Sequence, residues 1–147
     1  MVWVDVQYGS SLPLNAITAG TDNHLNPIYI GRAKHGGDII VGMVCPVQHT
    51  LYLSYHHQEY EVSHDYQVLT NPGGRTRLAW VWVGEREKMP SGAIVGGRQS
   101  NGTPLMIGRT RHAGSMVVGK VETYEHRLYY PMHEQEHHTE KFEVLVR

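Results

Sequence analysis

The sequence predicts an all-β protein, in which two tandem, pseudo-symmetric repeats of short antiparallel strands pack into one β-sandwich-like domain. The first observation is an internal duplication: after a shift of 77 residues, 22 of the 58 residues from position 3 to position 60 meet an identical residue. The second is a series of short runs of β-branched and aromatic residues, about ten residues apart, which is typical of strands. The third is that no segment of helical length carries an apolar stripe.

The predicted strands follow one another in the same order in both repeats. Val2–Val6 opens the first copy with alternating side chains, and the region around Trp80 opens the second. Glycine- and proline-rich turns separate the strands, with strong turn signals at residues 71–74 and 100–102. The remaining predicted strands are centred on residues 28–30, 39–41, 51–55 and 66–69 in the first copy, and on residues 105–107, 116–118, 128–130 and 142–146 in the second.

The duplication also predicts the domain organisation. We assign residues 1–70 to the first repeat, 71–79 to a linker and 80–147 to the second repeat. A unit of this size buries too little surface to be stable by a comfortable margin. We therefore expect the two repeats to share a core.

Composition excludes several classes of function. The net charge is -1, with 13 basic and 14 acidic residues, and the basic residues are scattered, which argues against nucleic acid as a partner. No long apolar segment predicts a membrane span. The N-terminus lacks the pattern of a signal peptide, so we expect a cytoplasmic protein, with unconventional secretion or vesicle association as the alternative. The single cysteine, Cys45, excludes an intrachain disulfide.

Several short motifs recur in both copies. The second copy carries Ile107-Gly108-Arg109, then Gly119-Lys120, then Gln135-Glu136 and a closing Phe142–Leu145. With their first-copy counterparts, these motifs resemble the DM9 repeat over essentially the whole chain. The resemblance implies a tandem all-β protein that binds mannose-type glycans, forms a homodimer and acts in innate immunity. Because the sequence has no nucleophile elbow, phosphate loop or dinucleotide motif, we expect neither an enzyme nor a cofactor.

The resemblance also implies which residues bind the sugar: an Asp shortly after an Ala-Gly step, and the Lys of a Gly-Lys step. The first position is Asp22 in one copy and Gln99 in the other, and the second is Met43 and Lys120. Since neither copy has both residues, we expect Asp22 and Lys120 to form one composite site, and Gln99 and Met43 a weaker one. We also place Asp38 in the sugar groove. The alternatives are that Asp22 caps a turn and that Lys120 is a solvated strand residue.

Two acidic residues shared by the copies, Glu59 and Glu136, have a structural interpretation. The copies also share Arg32 and Arg109, and an arginine fork forms two parallel bonds with a carboxylate. We therefore expect these glutamates to pair with these arginines.

One motif formally suggests a metal-dependent hydrolase. Residues His133–His137 read H-E-x-x-H, which binds zinc only when a helix places both histidines on one face. Because the flanking segments read as strands, we expect no catalytic metal. A weaker alternative is an adventitious zinc or nickel ion at His133, His137 and His138.

The sequence therefore favours a non-enzymatic, lectin-like protein specific for mannose-type glycans. The alternative is an intracellular protein-interaction or stress-response module without sugar binding. Asp22 and Lys120 favour the first function, and Met43 and Gln99 favour the second.

Overall fold

The computed structural model describes residues Met1–Arg147 and confirms the all-β prediction. Strands account for 59% of the chain and helix for 4%. The helical residues form two 3-10 turns, Pro46–Gln48 and Pro72–Gly74. No helix has the length and hydropathy needed to cross a membrane.

Fourteen strands make up the fold. Those of the first half are β1 (Val2–Val6), β2 (Thr18–Thr21), β3 (Pro27–His35), β4 (Asp38–Cys45), β5 (Thr50–Tyr55), β6 (Gln58–Val62) and β7 (Tyr66–Thr70). Those of the second half are β8 (Ala79–Val83), β9 (Val95–Arg98), β10 (Pro104–His112), β11 (Ser115–Glu122), β12 (Arg127–Met132), β13 (Gln135–Thr139) and β14 (Phe142–Val146). Strands in corresponding places have equal lengths.

The strands form one continuous sheet, whereas the sequence predicted a sandwich-like pair of sheets. Eight of them close into a barrel in the order β4-β5-β6-β13-β12-β11-β10-β9, with β9 pairing back to β4. The closing contacts between the halves are short: Gln58 pairs with Gln135, and Ile39 with Arg98. Closure removes the unpaired edges that two open sheets would leave. The other six strands extend the sheet outside the barrel, and β1 and β8 are its two ends.

Glycines on β4 and β11 let neighbouring strands approach closely. A Cβ atom added at Gly42 would overlap the carbonyl oxygen of Tyr52, and one added at Gly119 would overlap that of Tyr129. Both glycines come directly before the residues that the sequence assigned to sugar binding. Close strand packing therefore fixes the backbone beside Met43 and Lys120.

The apolar core is divided among three clusters, one of which draws on both halves. The central cluster combines residues such as Ile28 and Ile30 with Ile107 and Leu145, which are almost completely buried. Burial of such side chains contributes about 1.5–3 kcal/mol each. Each half also has a cluster of its own, around Leu51 and Phe142 respectively. The central cluster therefore binds the halves together.

Two arginines connect the halves through the backbone. Arg32 Nη1 donates to the carbonyl of Gly96, and Arg109 Nη1 donates to the carbonyl of Ala19, both at 3.0 Å. Each guanidinium also lies over a tryptophan of its own half, 4.1 Å from the ring centroid of Trp3 for Arg32. Buried backbone carbonyls need such donors because an unpaired one is costly.

The predicted pairing of these arginines with Glu59 and Glu136 is wrong. Arg109 Nε instead donates to Glu143 at 3.0 Å, and Arg32 Nε donates to Gln67 at 2.8 Å. The partners lie on β14 and β7, the strands that pair directly with β10 and β3. Cross-strand neighbours therefore take the arginine side chains, and Glu136 is left to bind elsewhere.

Candidate functional site

Two cavities lie where the halves meet, and both contain residues predicted to bind sugar. The first, called the lysine pocket, has a volume of about 230 Å³. It brings Lys120 and Gln99 of the second half together with Asp38 of the first. The lining residues are Asp38, Tyr55, His56, His57, Gln99, Leu105, Lys120, Glu122, Glu125, Tyr129 and Glu136.

The second cavity, called the methionine pocket, has a volume of about 340 Å³. Its residues stand mostly 77 positions from those of the lysine pocket, so Asp22 corresponds to Gln99 and Met43 to Lys120. The lining residues are Asp22, Met43, Cys45, Gln48, Tyr52, Glu59, Ser115, Met116, Val117, Pro131, Met132 and His133. The two pockets are therefore alike in position and different in chemistry.

The expected composite site of Asp22 and Lys120 does not form, because the two residues line different pockets. Strand pairing within each half explains this result. β2 pairs with β3, and β3 pairs with β4 in a register that joins Thr21 to Pro27 and Ile30 to Met43. Asp22 follows β2 and therefore lies beside Met43, on the same side of the molecule.

Lys120 is held firmly in the lysine pocket and is not a solvated strand residue. Its side chain is 13% exposed, and Nζ donates to the carbonyl oxygen of Ser54 at 2.7 Å. Nζ also lies 3.2 Å from Glu136 Oε2 and 5.7 Å from the centroid of the Tyr55 ring. An ammonium has three donors. Ser54 engages one of them and Glu136 balances the charge, so a donor stays available for a ligand oxygen.

Glu136 shares this buried position. Its side chain is 8% exposed, and Oε1 accepts a hydrogen bond from the His57 backbone N–H at 3.2 Å. Oε2 is close enough to Lys120 for an ion pair but has no hydrogen bond of good geometry. No sequence pattern predicted this pair, although the Gln-Glu step recurs at this position in both copies.

Asp22 is mainly engaged by its own loop. Oδ1 accepts hydrogen bonds from the backbone N–H groups of His24 at 2.8 Å and Asn26 at 2.9 Å, and the Asn26 side chain donates to Oδ2 at 3.3 Å. Burial opposes ionisation of this carboxyl, but the bonds from Asn26 and His24 outweigh it, so the pKa of Asp22 is lowered. The turn-capping alternative therefore describes Asp22.

Gln99 occupies the position in the second half that Asp22 occupies in the first, but its side chain does not cap its own loop. Asn101 Oδ1 caps this loop by accepting from the Thr103 backbone N–H at 2.9 Å. The amide of Gln99 makes no hydrogen bond within the chain, so its donors and its acceptor face the lysine pocket unengaged. Gln99 can therefore bridge two neighbouring hydroxyl groups.

Asp38 lines the lysine pocket, and it also fixes a loop of the opposite half. Its Oδ1 accepts from the backbone N–H of Ser100 at 2.8 Å. In the methionine pocket Ser115 takes this role, and its hydroxyl accepts from the backbone N–H of Asn23 at 2.9 Å. Each of these two loops is thus anchored to the other half.

Glu59 corresponds to Glu136, but it has no cation beside it because Met43 stands where the lysine would be. Burial raises the pKa of Glu59, and the Glu134 backbone N–H offsets this only in part.

Burial, with the charges of Asp22 and Glu59, also raises the pKa of the Cys45 thiol to about 12. At neutral pH Cys45 is therefore a protonated thiol and a poor nucleophile.

The H-E-x-x-H motif spans a turn and a strand, as its flanks predicted. His133 and Glu134 have positive φ angles of 51° and 68°, and Gln135 begins β13. Nε2 of His137 lies 3.0 Å from the carbonyl oxygen of Met132, and His112 lies against the His137 ring. The helical geometry that the zinc motif requires is therefore not formed.

Comparisons with known proteins agree with the sequence motifs. A family model described as DM9 repeat matches residues 1–62 and 22–139. A solved structure of the nematode sperm cell motility protein MFP2B is similar, with a TM-score of 0.76 and 14% sequence identity. The similarity covers 99% of this chain and 45% of that one, so the chain spans less than half the length of that protein. No curated protein sequence matches.

Proposed function

Because the chain belongs to the DM9 repeat family, we propose that it is a non-enzymatic carbohydrate-binding protein that recognises mannose-type glycans in the lysine pocket. The observation that carries this proposal is the pairing of a fixed ammonium, Lys120, with the unengaged amide of Gln99. Sugar hydroxyls both donate and accept, so a bound sugar needs partners of both kinds.

The lysine pocket supplies these partners at low cost in entropy. Lys120 is already ordered by Ser54 and Glu136, and Asp38 is already ordered by Ser100. A preorganised site avoids the loss of side-chain freedom that binding otherwise requires. The rings of Tyr55 and Tyr129 add apolar surface for the C–H faces of a sugar.

Isothermal titration with methyl α-mannoside and mannan tests the proposal. We expect Gln99→Ala to weaken binding about tenfold, which corresponds to the loss of one or two hydrogen bonds. Asp22→Ala, in the other pocket, is the matched control and should leave the affinity for mannose unchanged. Equal loss in both variants, or no mannose binding by the parent protein, would contradict the proposal.

A homodimer would present two lysine pockets, and this multivalency would raise the overall affinity for a glycan. β1, β2 and β8 each pair on one side only, so their free edges are open to a second copy. Light scattering after size-exclusion chromatography would measure the mass. An innate-immune role and a cytoplasmic location stay predictions, to be tested by binding to intact microbes and by imaging in cells.

The second candidate is a protein-interaction module without sugar binding. Asp22 is engaged by its own loop and Met43 offers no hydrogen bond, so the methionine pocket lacks the sugar pair that the family resemblance implies. The similar fold of a protein described as a sperm cell motility protein is compatible with such a role. A glycan array without any binding would favour this candidate.

A further inference from the structure

The methionine pocket retains the acidic half of an ion pair whose basic half is missing. In the lysine pocket, the ammonium of Lys120 lies between Glu136 and the Ser54 carbonyl. The corresponding residues of the methionine pocket are Met43, Glu59 and Pro131, and all three line the cavity. Glu59 makes no salt bridge, and no lysine or arginine lines this pocket.

The other carboxylate of the methionine pocket is already satisfied. Asp22 accepts three hydrogen bonds from its own loop. Cys45 carries no negative charge at neutral pH because its pKa is about 12. Glu59 therefore lacks a strong partner among the residues of this pocket, of which His133 is the only basic one.

The lysine pocket shows which ligand group would suit Glu59. There, the corresponding glutamate, Glu136, pairs with the primary ammonium of Lys120, which also donates a hydrogen bond to the Ser54 carbonyl. A half-buried carboxylate without a counter-charge is destabilising, and a charge-assisted hydrogen bond is roughly twice as strong as a neutral one. A ligand that brings its own ammonium would therefore gain more from Glu59 than a neutral one.

We propose that the methionine pocket binds an amino sugar, a glycan unit with a free primary amine, and places its ammonium beside Glu59 where the lysine pocket holds the amine of Lys120. This assignment rests on the proposed carbohydrate-binding function and adds a second sugar class at a second site. The volume of about 340 Å³ is larger than the 230 Å³ of the lysine pocket, to which we assign a sugar as well. Tyr52 supplies an aromatic surface, as Tyr129 does in the lysine pocket.

The test compares glucosamine with its neutral relatives, glucose and N-acetylglucosamine, by NMR titration of the full chain at pH 6.5. We expect glucosamine to bind at least tenfold more tightly than either. Glu59→Gln keeps the shape and removes the charge, and Met43→Lys supplies an internal ammonium. Both variants should abolish the preference for glucosamine, whereas the matched control Met43→Leu should retain it.

Reciprocal results separate this proposal from the mannose site. Lys120→Met combined with Glu136→Gln should disturb mannose binding and leave the glucosamine preference intact. Equal binding of glucosamine and N-acetylglucosamine would overturn the proposal, as would a preference that survives Glu59→Gln. A blocked lysine derivative that binds as tightly as glucosamine would show recognition of any ammonium and overturn the assignment to a sugar.

Discussion

The lysine pocket and the methionine pocket share one framework and differ in most of their corresponding side chains. Each is built at the meeting of the two halves, and each has a loop that is anchored to the opposite half, by Asp38 in one and Ser115 in the other. The change from Lys120 to Met43 leaves a glutamate paired in the first pocket and unpaired in the second. This position therefore decides whether the shared glutamate has an internal cation, while Asp38, Glu122 and Glu125 add carboxylates to the lysine pocket alone.

The largest expected effect comes from making the two pockets alike at that position. Lys120→Met would leave Glu136 buried without its cation, and breaking a buried pair costs about 3 kcal/mol. Chemical denaturation would measure the loss in the free energy of unfolding. Adding Glu136→Gln to Lys120→Met should recover most of the stability, and a failure to recover would show that Lys120 acts through packing rather than charge.

A smaller change in the free energy of unfolding is expected from substitutions in the two loops that contain Asp22 and Gln99. Asp22→Ala removes the cap of its turn and should cost about 1 kcal/mol, whereas Gln99→Ala removes no internal bond and should stay within about 0.5 kcal/mol. Because the pKa of Asp22 is lowered, its contribution is present above its ordinary pKa and is lost as the pH falls through the folded value. Thermal melting at pH 7 and pH 3 would check both statements.

The smallest change in the free energy of unfolding is expected from the reverse substitution, Met43→Lys in the methionine pocket. Met43→Lys gives Glu59 a cation and should raise the free energy of unfolding at pH 7 by up to about 1 kcal/mol. Burial raises the pKa of Glu59, so the parent protein loses stability as the pH rises through that pKa. The gain from Met43→Lys should therefore disappear near pH 4, and an equal gain at both pH values would contradict the pairing. Met43→Leu is the neutral control.

Local patterns in the sequence predicted most of the strands, but not β2, β6, β9 and β13. The apolar run at residues 51–55 falls within β5, and the run at 142–146 is β14. Closure of the barrel could not be predicted in this way, because it depends on sparse pairings such as Gln58 with Gln135. Polar residues at single contact points leave no periodic signal, whereas a long buried strand does.

The candidate site was predicted in part. Gln99, Lys120 and Asp38 meet in one pocket, and Asp22 and Met43 meet in the other. The composite of Asp22 and Lys120 was wrong because consecutive antiparallel strands keep each pair within its own half. The ion pair of Lys120 with Glu136 joins β11 to β13, two strands that are not neighbours in the sheet, so spacing along the chain could not indicate it.

Because Arg32 and Arg109 each donate a hydrogen bond to the opposite half, neither half has all of its partners when it is separated from the other. Each guanidinium ends on a backbone carbonyl that only the other half provides. A polypeptide severed in the short segment after Thr70 would leave two pieces that each lack a partner for a half-buried arginine and for a face of the central cluster. Such pieces are suited to complement one another on mixing, so this fold is a candidate scaffold for split reporters whose signal depends on reassembly.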